Sequence, residues 1–376
     1  MGNSLWRLQT ALNYLAQNTH GLDRMGDVEV VVTDWGSEIP LHTVLQLSPA
    51  AAKLISFVVV PPALVNELQK DSPFSEVHAL NVAARRANGH YIGRIDQDIL
   101  VGKHFFSTFF QLYEGIQKLD VPLNQALLFA NRRRIPYRFA DRCPPLWAMD
   151  RFVQLFGHFL RIEQLYPAHL FYFSFVGLWL IHRNLWYESS GYDEQLIYMN
   201  EMESDMIARL LRKYEMVNLG KFVDYDFYHL EHYHPLAKRC PSSFRKVNIS
   251  PDYARNPPEQ IHPNGQDWGL AKYSLQVVPA LEWGNGAPES LKQLPSDWQS
   301  FRCALLSTGA QITLDTLILA LMAVPNLFLA PPRLLFRFSR KWGRRAAIAW
   351  ETISGQPLIS WPRLLVRLWK DKTRTV

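Results

Sequence analysis

Two aspartates, Asp96 and Asp98, follow a short apolar segment at the point where its strand pattern ends. The segment Tyr91–Ile95 alternates large apolar residues with smaller ones and begins after Gly89, which predicts a buried strand. Ligands of open α/β sheets bind at the carboxyl ends of strands. Because Mg²⁺ and Mn²⁺ take carboxylate oxygens together with substrate phosphates, the pair is placed to hold a metal–diphosphate. A D-x-D pair alone is also common in surface turns.

A third aspartate, Asp34, stands near the end of another predicted strand, in the run V-V-V-T-D-W-G-S. Its carboxylate can accept a hydrogen bond from a base N–H or a ribose hydroxyl, and Gly36 allows close backbone approach. The structural alternative is an ordinary strand-to-loop turn that the aspartate caps.

Three carboxylates, Glu201, Glu203 and Asp205, open a predicted helix. Glu201 and Asp205 are four residues apart and share a helix face. The helix dipole stabilises a carboxylate at a helix N-terminus as the anion, which lowers its pKa. Such a carboxylate serves as a base only where burial raises the pKa again. A charged first turn without catalytic role is the structural alternative.

The stretch His229-Leu230-Glu231-His232-Tyr233-His234 brings three imidazoles close together in sequence. Imidazole at this spacing can supply a metal ligand. The pattern is not H-E-x-x-H and no helical pattern surrounds it, so a dedicated zinc site is not predicted. The alternative is that these histidines face solvent or bond to the backbone.

Strand and helix patterns alternate over the first 230 or so residues, which predicts an α/β fold with a mainly parallel sheet. Residues 132–172 and 240–300 are expected to be irregular and to carry acceptor specificity. The predicted helices are Leu5–Gln17, Ser75–Ala87 and His104–Ile116, and further predicted strands are Val28–Thr33, Leu54–Val60 and Ala126–Asn131.

The positive charge is concentrated in residues 331–376, which hold 11 Lys and Arg against Glu351 and Asp371, a net charge of +9. The rest of the chain carries a net charge of −3, which argues against a nucleic-acid-binding core. The apolar run Leu314–Ala330 is short and interrupted for a transmembrane helix. With the basic amphipathic segment after it, it predicts a peripheral anchor on an anionic membrane or a helical subdomain packed on the body.

The three cysteines are far apart and form no C-x-x-C, which predicts neither a disulfide framework nor a thiolate zinc site and fits a reducing compartment. The N-terminal residues show no apolar stretch typical of a signal peptide. A cytoplasmic protein, peripheral at the inner face of the cell membrane, is therefore expected.

Residues 5–235 resemble inverting, metal-dependent glycosyltransferases of the GT-A fold, the large family-two class and its relatives. The resemblance rests on four runs in the same order: V-V-V-T-D-W-G-S, N-V-A-A-R-R-A-N-G-H-Y-I-G-R-I-D-Q-D, the acidic block from G-Y-D-E to E-S-D-M-I-A-R-L, and H-L-E-H-Y-H. It implies a GT-A-like, Rossmann-like, mostly parallel sheet flanked by helices in a domain of residues 1–240. A surface segment, 241–311, and a basic amphipathic helical tail, 312–376, would follow.

The resemblance also implies roles for matching residues. The donor, a UDP-sugar before other sugar nucleotides, would be contacted by Asp34, Gly36, Ser37, Asn81, Arg86 and Asp96. Mn²⁺ or Mg²⁺ would be held by Asp96, Asp98 and His232. The base that deprotonates the acceptor hydroxyl would come from the acidic block: alignment on Asp205 makes Glu203 the first candidate, with Glu201 as its rival. The metal would neutralise charge on the departing diphosphate.

The activity implied is transfer of a sugar from a nucleotide-diphosphate sugar to a hydroxyl of a glycan or lipid-linked acceptor, with inversion, in surface polysaccharide biosynthesis. The first strand of such a fold, with its nucleotide-binding loop, should precede the helix at Leu5, where only Met1–Ser4 stand. The strand is thus expected to be missing or truncated, or the true start lies upstream. This favours, as an alternative, a non-catalytic scaffold or partner subunit. A nucleotidyltransferase is a third hypothesis, although no Gly-rich phosphate loop is visible.

Overall fold

The computed structural model describes residues 2–130, 132–160, 162–163, 178–198, 202–219, 226–232 and 263–281, and within them the chain is a mixed α/β protein. The helices are α1 (Gly2–His20), α2 (Leu41–Val44), α3 (Pro49–Leu54), α4 (Pro62–Gln69), α5 (Glu76–Arg86), α6 (Lys103–Tyr113), α7 (Tyr137–Ala140), α8 (Leu146–Phe156), α9 (Arg183–Glu188) and α10 (Met202–Leu210). The strands are β1 (Val30–Trp35), β2 (Ile55–Val60), β3 (Tyr91–Ile95), β4 (Ile99–Val101), β5 (Ala126–Ala130), β6 (Arg132–Ile135), β7 (Ile162–Glu163), β8 (Leu178–His182), β9 (Glu215–Asn218), β10 (Phe227–Leu230) and β11 (Gln276–Pro279).

Most helices and strands with a strong local pattern form where the sequence predicts them. Strand β3 covers Tyr91–Ile95, as predicted, and α5 and α6 differ from their predicted bounds by one to three residues. In α1 the apolar stripe buries Leu12 and Leu15 in a core cluster with Phe57 and Phe105. Burial of this stripe, rather than helix propensity alone, accounts for the stability of such a helix.

The described strands form three small mixed sheets, in the orders β1-β2-β11, β4-β10-β6-β7 and β3-β8-β5-β9. Parallel pairing joins β1 to β2 and β5 to β9. Antiparallel pairing joins β11 to β2, β8 to both β3 and β5, β10 to β4, and β6 to β7. The α/β class is confirmed, whereas these pairings do not show the predicted mainly parallel sheet. Strand β8 lies between β3 and β5 and runs antiparallel to both, which interrupts the predicted parallel order.

Two regions that were expected to be irregular contain regular structure, and that prediction was wrong for them. Between residues 132 and 163 lie β6, α7, α8 and β7, and in the later region β11 adds to the edge of β2. The arginines of β6 concealed its strand character, because Arg132 and Arg133 are buried although their type is usually exposed. Arg132 reaches a carboxylate oxygen of Asp96 at 3.6 Å, which makes burial of its charge tolerable.

The chain divides into two compact units, one of residues 1–134, 161–229 and 240–294 and one of residues 135–160, 230–239 and 295–376. The described helices of the second unit are α7 and α8, whose Phe139 and Phe152 rings stack with centroids 4.1 Å apart. In the described part of the chain, no helix is both long and apolar enough to cross a lipid bilayer. The predicted tail, 312–376, lies outside the described residues, and the predicted three-part division of the chain stays a prediction.

Helix α5 packs against β1 through a buried histidine. The His78 ring stacks on Trp35 with centroids 5.8 Å apart, and its Nδ1 lies 2.7 Å from the hydroxyl of Ser75, the residue that precedes the helix. Burial lowers the pKa of His78 to about 4. The folded protein therefore holds this imidazole neutral at pH values where the unfolded chain protonates it.

Replacing His78 by Gln should flatten the acid dependence of stability. The wild-type imidazole contributes its full stability above pH 6.5 and loses it as pH falls toward about 4, since the unfolded state binds the proton first. Between pH 7 and pH 5 we expect the free energy of unfolding to fall by about 2 kcal/mol more in wild type than in His78→Gln. Urea unfolding at both pH values measures this, with the exposed His90→Gln as control. Equal losses in wild type and variant would contradict it.

Candidate functional site

Asp98 lies in the tight turn that leads from β3 into β4. The turn is closed by a hydrogen bond from the Ile99 N–H to the Asp96 carbonyl oxygen, at 3.1 Å. Because β3 and β4 belong to different sheets, the chain leaves one sheet and enters the other within three residues. Asp98 is buried in this turn, with 6 % of its surface exposed. A buried carboxylate requires a polar or cationic partner.

Strand β10, which is distant from Asp98 in sequence, supplies that partner. It pairs antiparallel with β4, and the register sets His229 opposite Ile99, the residue next to Asp98. His229 Nε2 consequently lies 3.4 Å from Asp98 Oδ2. His232 follows three positions along the chain, and one ligand atom from each of Asp98, His229 and His232 lies within 4.8 Å of the others. We refer to these three residues as the Asp98 cluster.

The Asp98 cluster suits a divalent metal ion. Two ligand atoms that bind one cation at about 2.1 Å lie about 3.0 to 3.4 Å apart, which is the separation found between His229 and Asp98. Two imidazoles and one carboxylate favour Mn²⁺, Fe²⁺ or Zn²⁺ over Mg²⁺, whose sites are built from oxygen. Such a set leaves coordination positions for substrate oxygens. Two of the predicted metal ligands, Asp98 and His232, are thus brought together, and His229 joins them.

A buried aspartate, Asp226, fixes the β4–β10 pair at its other end. The Gly102 N–H donates to the Asp226 carbonyl oxygen at 3.0 Å, and the His104 N–H donates to its carboxylate at 2.8 Å. A Cβ at Gly102 would lie 2.1 Å from that carboxylate, so only glycine fits. Burial raises the pKa of the Asp226 carboxyl, and the bond from His104 opposes the rise. Nothing in the sequence around Asp226 distinguishes it from other loop aspartates, so its role could not be predicted.

Asp96 is not a member of the Asp98 cluster. One of its carboxylate oxygens lies 2.8 Å from Arg94 and the other 3.6 Å from Arg132. The Arg94 guanidinium also forms an ion pair with the Glu76 carboxylate, with 2.7 Å between Nη2 and Oε1. Two adjacent guanidinium groups disfavour a further cation at this carboxylate, so the predicted metal role of Asp96 finds no support in its surroundings. Its predicted contact with the donor stays a prediction.

The loop after β1 uses Asp34 as an internal cap. The carboxylate is almost fully buried and accepts hydrogen bonds from the Leu41 N–H at 2.8 Å and the Ser37 N–H at 3.3 Å. Gly36 has a φ of +69°, and a Cβ there would lie 3.0 Å from Val65. These contacts match the structural alternative of a capped turn. The predicted donor contacts of Asp34, Gly36 and Ser37 stay predictions.

Asn81 and Arg86 hold neighbouring segments onto α5. The Asn81 amide, which is fully buried, donates to the Tyr192 carbonyl oxygen and accepts from the Tyr192 N–H, both at 2.8 Å. Arg86 donates to the carbonyl oxygens of Gly269 and Leu270, at 2.8 and 3.2 Å. Both side chains satisfy backbone groups, and this structural use leaves their predicted donor contacts without support.

Two glycines allow these segments to approach Asn81. Gly191 and Gly269 have φ values of +69° and +64°, and a Cβ on either would lie 2.4 to 2.5 Å from an Asn81 oxygen. Glu194 completes the arrangement, since its carboxylate accepts from the Gly269 N–H at 2.7 Å. Burial raises the pKa of Glu194, and that hydrogen bond opposes the rise. The result is a packed junction of α5 with two loops.

The predicted helix of the acidic block is confirmed as α10, and Asp205 is buried in it. Arg209 Nε donates to Asp205 Oδ2 at 2.9 Å, and the same guanidinium donates to the carbonyl oxygens of Ser189 and Gly191, at 2.8 and 2.9 Å. Both side chains are shielded from solvent, and the Asp205 carboxylate is engaged in this pair, so its predicted catalytic role finds no support in its surroundings. Glu203 lies in the first turn of α10, and Glu201 lies outside the described residues. Their predicted roles as base stay predictions.

The chain matches no model of a known protein family, and no curated protein is similar to it at a significant level. The geometry of the site offers one buried carboxylate beside two imidazoles at the carboxyl end of β3, where ligands of α/β sheets bind.

Changing Asp205 to Asn should unfold the protein more readily rather than only slow a reaction. It removes the charge that pairs with the buried Arg209 guanidinium, and breaking a buried pair costs about 3 kcal/mol or more. Lys213→Ala, which removes a solvent-exposed pair with Glu188, is the matched control and should cost less than about 1 kcal/mol. Chemical denaturation of both variants measures the difference. Similar free energies of unfolding for Asp205→Asn and wild type would contradict a structural role.

Proposed function

We propose that this protein is a divalent-metal-dependent glycosyltransferase that takes a sugar from a nucleotide-diphosphate donor and inverts the anomeric carbon. The observation that carries the proposal is the Asp98 cluster: the second aspartate of a D-x-D pair, at the end of β3, meets two imidazoles from a separate part of the chain. A carboxylate that only capped a surface turn would not require this convergence. The proposal includes a GT-A-like arrangement of the sheets, which the order of the sequence motifs supports.

The ligand atoms of the Asp98 cluster limit the choice of metal ion. Asp98, His229 and His232 supply two nitrogen atoms and one oxygen, a set that favours Mn²⁺ over Mg²⁺ among the ions that accompany diphosphates. Bound there, the ion would neutralise negative charge on the departing diphosphate. Burial of Asp98 and His229 strengthens their hold, since little water competes for their ligand atoms.

The other residues would orient the donor and activate the acceptor. Asp96, fixed between Arg94 and Arg132, would contact the sugar–ribose end of the donor. Glu203 is the first candidate to remove the proton of the acceptor hydroxyl, with Glu201 as its rival. Attack from the face opposite the diphosphate inverts the configuration. A UDP-sugar donor, a glycan or lipid-linked acceptor for surface polysaccharide, and a peripheral position at the cytoplasmic membrane face complete the proposal.

A specific observation favours a second candidate, a non-catalytic scaffold or partner subunit with a related fold. Asp34, Asn81 and Arg86, which the resemblance assigns to the donor, use their side chains on the protein's own backbone. A protein that had lost donor binding would keep such contacts. Binding of a sugar nucleotide separates the two candidates, because only the enzyme has to hold the donor.

Removing a ligand of the cluster should abolish tight Mn²⁺ binding. We expect Asp98→Asn and His229→Ala to weaken Mn²⁺ binding at least tenfold. Electron paramagnetic resonance of the free ion measures the affinity. His90→Ala, an exposed histidine on Tyr113 and no member of the cluster, is the control and should bind like wild type. Circular dichroism verifies that each variant is folded. Equal Mn²⁺ affinity in all four proteins would refute the metal site.

Turnover should require Glu203 of the acidic block, whereas binding of the donor should not require it. With Mn²⁺ present, wild type should show a thermal shift with one member of a sugar-nucleotide panel and should release nucleoside diphosphate from it. Glu203→Gln should keep the shift and lose at least a hundredfold in release, because a general base contributes about that much. Asp98→Asn should lose both. Metal binding without any donor shift would favour the non-catalytic candidate.

A further inference from the structure

Four basic side chains follow one another along the surface at the amino end of β3. They are Arg85 and Arg86 at the end of α5, Arg183 at the start of α9, and Lys272 in the segment before β11, and we refer to them as the basic row. None of the four forms an ion pair with a carboxylate of the described residues. Cations without an ion-pair partner in the protein are available to an anionic ligand.

Aromatic rings hold the first two arginines of the row in place. The Arg85 guanidinium lies 4.8 Å from the centroid of the Trp268 ring and 5.6 Å from that of the Tyr187 ring. The Arg183 guanidinium lies 5.5 Å from the same Tyr187 ring, and its Nη1 donates to the Asn88 carbonyl oxygen at 3.2 Å. Stacking of this kind fixes a guanidinium through its face and leaves the N–H groups at its edge for a ligand.

Arg86 and Lys272 extend the row along the segment after Trp268. Arg86 Nη2 donates to the Tyr273 carbonyl oxygen at 3.3 Å, and Lys272 Nζ lies 5.4 Å from the centroid of the Tyr273 ring. Burial lowers the pKa of Arg86, and the charge of the adjacent Arg85 lowers it further. Neighbouring cations of the row therefore repel each other, and a bound anion would relieve that repulsion.

We propose that the basic row is a binding site for an acidic glycan, a polysaccharide that carries carboxylate groups. A carboxylate accepts two parallel hydrogen bonds from one guanidinium, and carboxylates repeated along a chain match cations repeated along the row. Because contacts with rings and carbonyl oxygens already fix the arginines, binding costs little of their side-chain freedom.

The surroundings of Tyr187 favour a glycan over a single-stranded nucleic acid. Proteins bind single strands by stacking the bases on aromatic faces. Two guanidinium groups lie over the Tyr187 ring and Trp268 is buried, so neither ring offers a face for a base. In addition, residues 1–330 carry a net charge of −3, which opposes the approach of a polymer as densely charged as a nucleic acid.

The rigidity of the row favours a polymer over a lipid membrane. Membrane-surface binding combines basic side chains with large apolar side chains that enter the lipid. Here three of the four cations are arginines held by rings or carbonyl oxygens. The two exposed rings, Tyr187 and Tyr273, lie under these cations and do not form a free apolar face.

The basic row is separate from the Asp98 cluster. The Arg183 N–H donates to the His90 carbonyl oxygen at 2.7 Å, which places the row at the beginning of β3, whereas Asp98 follows the end of that strand. Five residues of strand span about 17 Å. The glycan site therefore does not depend on the proposed transfer reaction. One consequence does rest on the proposed function: the row would hold the body of a long acceptor whose end lies near Asp98.

The test is the binding of an oligogalacturonate, a glycan with one carboxylate per sugar, to the full chain by isothermal titration calorimetry. Wild type should bind it at least tenfold more tightly than its methyl ester, which has the same sugar rings without the charges. The double variant Arg85→Gln/Arg183→Gln should lose at least tenfold in affinity, because charge-assisted hydrogen bonds are removed. Arg24→Gln is the matched control: Arg24 also lies over a ring, that of Phe110 at 4.8 Å, but it is paired with Asp27, so this variant should bind like wild type.

No binding by wild type, equal binding of the methyl ester, or an equal loss in Arg24→Gln would overturn the site. Should circular dichroism show that the double variant is unfolded, the exposed Lys272→Gln replaces it, and unchanged affinity in that variant would count against the site in the same way. Tighter binding of a single-stranded DNA of equal charge, or of vesicles that contain phosphatidylglycerol, would overturn the assignment to a glycan. Mn²⁺ affinity should be the same in the double variant and wild type, so the basic row can fail while the Asp98 cluster still binds the ion, and the reverse.

Discussion

The antiparallel pairing of β4 with β10 is the contact on which the candidate site depends. It joins a turn near residue 98 to a strand that begins at residue 227, and its register decides which side chain stands beside Asp98. A shift of one residue would turn His229 to the opposite face of the sheet. The register is held at Gly102 by the backbone and carboxylate of Asp226, in a space too small for any side chain at position 102. The geometry of the Asp98 cluster thus depends on a contact several residues away from its members.

The sequence predicted individual helices and strands better than it predicted which strands pair with each other. Strand β3 and helix α5 carry complete local signals, which are apolar periodicity, a serine before the helix and glycine or proline at the ends, and both form as expected. The antiparallel insertion of β8 and the addition of β11 depend on contacts between distant residues, which no local pattern encodes. The same limit applies to the histidine stretch. Its spacing identified the residues, but only the pairing of β10 shows that His229 joins His232 at Asp98.

The least predictable feature was the use made of polar side chains. Asparagine, arginine and aspartate are suited to bind a sugar nucleotide, and they are equally suited to satisfy buried polar groups of the protein itself. At Asn81, Arg86 and Asp205 the protein uses them in the second way, with partners supplied by segments more than a hundred residues distant or by a buried arginine. Residue type and order cannot separate the two uses. Burial and the direction of each hydrogen bond can.

The two aspartates of the D-x-D pair have different surroundings and different roles in the structure. Asp96 is held by Arg94 and Arg132, while its carbonyl oxygen closes the turn through the Ile99 N–H. The ion pairs therefore fix the turn, and the turn aims Asp98 at His229. The neighbours of the two carboxylates differ as well, because two guanidinium groups lie beside Asp96 and disfavour a cation there, whereas Asp98 lies beside two imidazoles, which can act as metal ligands. Asp96 thus positions the carboxylate that lies two residues after it, and a ligand that reached both would bridge a carboxylate held by two arginines and a carboxylate held beside two imidazoles.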